Sequence, residues 1–319
     1  MKNLWSKLEL AMGIVILMVD LSTGLVRASS LNSGDGYKIS PVRSELSVSR
    51  GSSKVVDIYV QNVTKSTENV QTIVDDFVAS NQENGTPSLL LNGQSAPSHG
   101  LKQFIKVENA NFVLQPQQQK TIKILISIPK NAAPGGYYAA VRFAPSGINS
   151  SRNVNLSASV ASLILVTVPG NYIQRMNVSS FNVQSNGHIG TFFTSNKNLQ
   201  AVVSFYNSGQ IQTVPFGKVA LLKGSQQLGT FAINNAQGNV LPDSIRKFSV
   251  NLAHVGTFGK YTVEGNFGYG TSGQLLSVSD TFYIVPYYLI VSLIVLIVIL
   301  FILIVISIRR YHHKHDKKI

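Results

Sequence analysis

Cysteine is absent from this chain. That removes zinc–cysteine sites, iron–sulfur clusters and cysteine nucleophiles. It also means that no disulfide staples any domain. Tryptophan occurs once, at Trp5, so a core of Trp packed on a disulfide, as in antibody domains, is excluded. Charge is sparse, at 13% of residues, and acids are the sparser kind, 14 Asp and Glu against 27 Lys and Arg. No stretch outside two apolar segments carries the period of a long amphipathic helix, and no short repeat is visible. Ser, Asn, Gln, Thr and Val fill the space instead, a mixture that favours strands and turns.

The longest apolar run is Tyr287 to Ile308, which holds no charge, Gly or Pro. As a helix it spans roughly 33 Å, enough for a hydrocarbon core of ~30 Å. Pro286 precedes it. Arg309, Arg310, Lys314, Lys317 and Lys318 follow in a basic tail, 309–319. The positive-inside rule puts that tail in the cytoplasm and Tyr287 and Tyr288 in the outer interfacial belt. The expected topology is single-pass type I in the cell membrane, with the chain before Pro286 extracellular. Residues 1–28 read as a signal peptide: Lys2 and Lys7, an apolar stretch from Leu10 to Val19, and Val26-Arg27-Ala28 before a cleavage point at Ser29. An uncleaved anchor is the alternative.

Between these ends the patterning has period two. Val55 to Val60 and Val70 to Phe77 are candidate strands. Thr121 to Ile128 is the clearest, with four isoleucines on one face. Asn84-Gly85 reads as a turn. Pro134-Gly135-Gly136 turns the chain into Tyr137 to Phe143. After a polar stretch, Ala161 to Val168 is a nearly continuous apolar run and reads as a strand buried on both faces or lying at the domain junction. Thr191 to Thr194, Val202 to Tyr206, Val219 to Leu222, Lys247 to Leu252, Lys260 to Tyr269 and Leu276 to Val285 complete the series. The expected fold is all-β: two tandem Ig-like β-sandwich domains followed by one transmembrane α-helix. The expected limits are a linker at 29–36, a first sandwich at 37–145, a linker at 146–155, a second sandwich at 156–285 and the helix at 286–308.

Three stretches carry a resemblance. They are Ile39-Ser40-Pro41-Val42 with Gly51 and Val55 to Asn62, Phe112 to Gln117, and Ile128 to Tyr138. Their layout resembles the bacterial surface Ig-like domains of WxL-interacting proteins and is distantly similar to the N-terminal domain of periplasmic pilus chaperones. Val240 to Phe248, Gly259-Lys260-Tyr261 and Phe282 to Pro286 look like the membrane-proximal partner domain and its exit into the anchor. The first resemblance implies a domain that engages peptidoglycan and a second that engages other surface proteins. It assigns no individual binding residue.

Candidate chemistry is thin. Asp75 and Asp76 adjoin on a strand, so they point to opposite faces and make a poor catalytic pair; solvation at a strand end is the expectation. His99, His188 and His254 are far apart and lack metal spacing. His312, His313 and His315 sit in the basic tail, where contact with anionic lipid is simpler than metal binding. Of Tyr137 and Tyr138, alternation puts one ring in the core and one at the surface. Asn62, Asn84, Asn149, Asn155 and Asn177 open glycosylation tripeptides that chance explains in so Asn-rich a chain. The ectodomain's net charge of +8 is scattered, and nothing points to nucleic acid. The expectation is therefore a non-catalytic cell-surface binding or scaffold protein, with no cofactor or metal, engaging peptidoglycan or surface proteins. The alternatives are an assembly factor that works by strand addition and a hydrolase of envelope polymers.

Overall fold

The computed structural model describes residues 36–146, 159–270 and 273–315. The leader, residues 29–35 and most of the second linker lie outside them.

The first sandwich is built from β1 (Tyr37–Ser40), β2 (Arg43–Ser47), β3 (Ser53–Asn62), β4 (Glu68–Ala79), β5 (Pro87–Leu89), β6 (Ile105–Val107), β7 (Asn111–Leu114), β8 (Gln119–Ser127), β9 (Gly135–Pro145) and β10 (Val160–Val168). One sheet has the order β1-β3-β8-β6. The other runs β2-β10-β9-β4-β5, with β7 also paired to β4. Strand β8 shows why the chain folds this way: Ile122, Ile124 and Ile126 are buried, while Thr121 and Lys123 on the opposite face are exposed. They meet Ile58, Val60, Val141, Phe143, Ile164 and Val166 in one core. Pro41 marks a change of sheet. Proline cannot donate to a ladder; β1 pairs with β3 before it, and β2 runs parallel to β10 after it.

That parallel pairing corrects the expected division of the chain. Strand β10 bonds to β9 along its whole length and to β2, and Ile164, Val166 and Val168 fill the first core. The first sandwich therefore extends to Val168 instead of ending at 145.

The second sandwich comprises β11 (Met176–Ser185), β12 (His188–Ile189), β13 (Phe192–Phe193), β14 (Leu199–Asn207), β15 (Phe216–Lys223), β16 (Gln226–Ala232), β17 (Ser244–Asn251), β18 (Gly259–Tyr269) and β19 (Gln274–Ile284). Its sheets are β12-β11-β14-β17 and β13-β19-β18-β15-β16. An aromatic core holds them together: Phe205 meets Phe267 edge-on at 5.2 Å and Phe248 at 5.9 Å, and Tyr261 stacks on Phe282 at 5.4 Å. Here too a short strand, β13, runs parallel to the last one, β19. The two sandwiches thus share a layout that their sequences do not display.

Helix α1 (Tyr287–His315) starts directly after Pro286 and continues past the expected end at 308. Its segment Tyr287–Ile308 has a mean hydropathy of 3.8 and no buried part. One such helix fits a single-pass membrane protein.

Candidate functional site: the groove between the sandwiches

The two sandwiches meet along three seams. At the first, Gly136 N–H donates to the Gln210 carbonyl at 2.8 Å. Gly135, with φ of +140°, lies so close to that carbonyl that a Cβ would stand 3.1 Å from it. Tyr138 follows on β9. Its ring is buried with Phe77 and Leu165 against Leu241, and its hydroxyl donates to Gln212 Oε1 at 2.9 Å. Burial raises the Tyr138 pKa above that of an ordinary phenol, and Glu45 adds to this while the Gln212 bond opposes it.

At the second seam the β4–β5 hairpin reaches the second sandwich. The Glu83 carbonyl accepts from Lys247 N–H at 2.6 Å, and its carboxylate pairs with Lys247 Nζ at 2.8 Å. Gly85, with φ of +83°, lies against the Arg246 guanidinium, where any Cβ would collide. At the third seam Asn239 Nδ2 donates to Glu45 Oε1 at 2.8 Å.

These seams leave a small groove between them, partly open to solvent, with room of about 70 Å³. Its apolar wall includes Phe77, Leu163, Leu165 and Leu241, and its polar wall Arg43, Asn239 and Arg246. Arg43 is spent on Glu45 at 3.1 Å. Arg246 Nη1 donates to the Asn239 carbonyl at 2.8 Å, and the guanidinium lies 5.2 Å from the Phe248 ring centroid. Its Nε is buried without a partner, as is Asn239 Oδ1. Among the described residues no carboxylate forms an ion pair with Arg246. Burial, and then repulsion from Arg43, lowers its pKa. Two guanidiniums against one carboxylate leave the groove net positive. A half-buried, unpaired guanidinium beside apolar side chains suits a carboxylate on a ligand with an apolar flank.

Other candidate residues lie elsewhere. Asp75 and Asp76 are both buried, at 3% and 2% exposure, and not solvated at a strand end. The reason is that β4 is covered on both faces. Asp75 Oδ2 accepts from Arg142 Nε at 2.9 Å. Asp76 accepts backbone N–H bonds from Ala96, Leu101 and Lys102 at 2.9–3.0 Å, pinning that loop. Tyr138, on the face that alternation leaves to solvent, is buried by the second sandwich. Tyr137 is half-buried, edge-on to Phe104.

His99 shares a pocket wall with Asp76, but its Nδ1 donates to the Gly136 carbonyl at 2.7 Å. No nucleophile bonds to it among the described residues. His188 and His254 lie at the far end of the second sandwich, and His312, His313 and His315 fall in the last turns of α1. Asn62 is fully buried, its amide spent on the Ser66 and Leu114 carbonyls. Sequence reasoning missed Arg43 and Arg246, because nothing in the chain pairs two residues so far apart.

No family model matches the chain, and no curated protein matches it. Solved structures do. The class 5 fimbriae chaperone CfaA is 15% identical, covering 79% of this chain and 100% of its own, with a TM-score of 0.36. The E. coli chaperone DraB is 14% identical, covering 78% and 96%, with a TM-score of 0.34. A chain of the CsuC–CsuE chaperone–tip adhesion subunit complex of Acinetobacter baumannii is 13% identical, covering 76% and 97%, with a TM-score of 0.35. This chain is thus distantly similar in structure to pilus chaperones.

Proposed function

We propose that the protein is a membrane-anchored, non-catalytic binding protein. Its groove takes a segment of another envelope protein, with an acidic group on Arg246 and apolar side chains against Leu163, Leu165 and Leu241. The observation that carries this reading is the Arg246 guanidinium, half-buried and without a carboxylate. The basic residues that follow the apolar part of α1 favour a cytoplasmic C-terminus, with both sandwiches outside. Tethering confines the groove near the membrane and raises its effective concentration there.

The test uses the full-length protein in detergent, challenged with solubilised envelope proteins and with purified peptidoglycan at two salt concentrations. A protein partner retained at both is expected. Arg246→Gln should weaken its retention by about tenfold or more, because losing a desolvated charge contact commonly costs more than the ~1.4 kcal/mol that a tenfold change represents. Arg43→Gln, at a more exposed site, should have a smaller effect. Peptidoglycan retention that ignores both substitutions would contradict the groove as the site.

A second reading, strand addition, draws on one feature. Strand β6 covers only Ile124 to Ile126 of β8, so among the described residues Gln119 to Lys123 present a free ladder edge.

A further inference from the structure

The end of the second sandwich opposite the groove has a composition of its own. Strand β19 runs toward α1, and only Val285 and Pro286 separate Ile284 from Tyr287. Two linking residues reach roughly 10 Å, so whatever shares that end of the sheets is held beside the bilayer that α1 crosses. Register identifies the sharers. Gly259 at the start of β18 pairs with Ile284, and Phe192 of β13 pairs with Tyr283. Leu222 near the end of β15 pairs with Thr262. The loop from Leu252 to Phe258 leads from β17 into β18, and residues 194–198 lead from β13 into β14 at the same end.

Three large apolar side chains stand exposed there: Ile189 at 64%, Phe192 at 71% and Phe258 at 55%. Phe192 stacks on Tyr283, with centroids 5.0 Å apart. Lys197, Lys223 and Lys260 are exposed beside them, together with His188 and His254. None of the three lysines forms an ion pair among the described residues. Lys223 Nζ lies 3.3 Å from the Phe258 carbonyl and so holds the aromatic loop.

No Asp or Glu occurs in 186–198, 222–229, 251–263 or 281–288. The nearest acids are higher up the strands. Glu264 is exposed on β18. Asp280 is spent on the Val183 and Thr281 amides.

Exposed aromatics among lysines without acidic partners, on a surface without acids, match the chemistry of a membrane interface: apolar side chains enter the headgroup boundary and cations meet anionic lipid. We propose that this end of the second sandwich rests on the bilayer surface, with Phe258, Phe192 and Ile189 at the headgroup level and Lys197, Lys223 and Lys260 on anionic headgroups. The protein then stands on its membrane at a set angle instead of swinging from α1. Strand β18, 11 residues long, holds the groove roughly 35 Å above the lipid.

The experiment places a fluorescent reporter at each end of the second sandwich in the full-length chain. On a Trp5→Phe background, Phe258→Trp reports the membrane end. Phe216→Trp, whose position pairs with Gly268, reports roughly 30 Å further away. Both positions are exposed, at 55% and 53%, so the larger ring does not enter a core. Each variant goes into nanodiscs of phosphatidylcholine alone or mixed with phosphatidylglycerol, with quencher-labelled headgroups. The Phe258→Trp reporter is expected to be quenched about twofold more than the Phe216→Trp reporter in anionic discs. That excess should shrink in neutral discs and when Lys197, Lys223 and Lys260 are replaced together by Gln. Equal quenching at the two positions would overturn the proposal, and so would an excess that ignores both lipid charge and the lysine replacements.

Discussion

Replacing Asp75 by Ala is expected to destabilise the first sandwich by about 3–5 kcal/mol, the usual cost of removing one member of a buried ion pair. Asp75 is 4% exposed at its side chain and Arg142 is 19%. They join β4 to β9 across the sheet that carries Tyr138 to the groove. Ala would leave Arg142 charged, largely out of water and without its acceptor. Urea unfolding of the purified protein reads this as an earlier midpoint for the first sandwich. The double replacement Asp75→Leu/Arg142→Leu should recover most of the loss, because apolar side chains of similar volume do not strand a charge. If Asp75→Ala costs less than about 1 kcal/mol, the pair is worth no more than a surface bridge.

Phe205→Ala should cost the second sandwich about 3–5 kcal/mol. The ring is fully buried and meets Phe248 and Phe267 edge-on. No neighbour can collapse into so large a space without leaving its own contacts. Hydrogen exchange should quicken in β11, β14 and β17 while β3 and β8 keep their protection. Equal loss of protection in both sandwiches would show that the seams couple them into one cooperative unit.

The sequence told most where alternation is strict and one face is wet. Ile122, Ile124 and Ile126 announce β8, and Tyr261, Val263 and Phe267 announce β18. The helix at Tyr287 needs only length and the absence of charge. What escaped had a physical reason in each case. Strand β11 carries a register shift between Val178 and Ser180, which breaks the period of two that would reveal it. Strands β5, β6 and β7 are three or four residues long, too short to show a period. Strand β10 is buried on the face of Ile164, Val166 and Val168 and mostly half-buried on the other, where Leu165 packs with Leu241 of the second sandwich, and nothing local marks its pairing with β2 and β9. The same applies to the groove. Tyr138 lies on the face that alternation leaves to solvent, and the second sandwich covers it. Arg246 looks like one more surface cation, because its burial depends on Gly85 and Gly238 packing against its guanidinium.

A partner held through Arg246 in the groove between the sandwiches is within reach of a probe on the groove wall. The most direct measurement places a photo-crosslinking residue at Thr86, on the groove wall, in the full-length protein in its native membrane. Irradiation is expected to give one discrete adduct with another protein, strongly reduced in Arg246→Gln and absent when the crosslinker is moved to the exposed position Leu275. No adduct at Thr86, or one of equal yield with Arg246→Gln, would contradict a partner held there by Arg246.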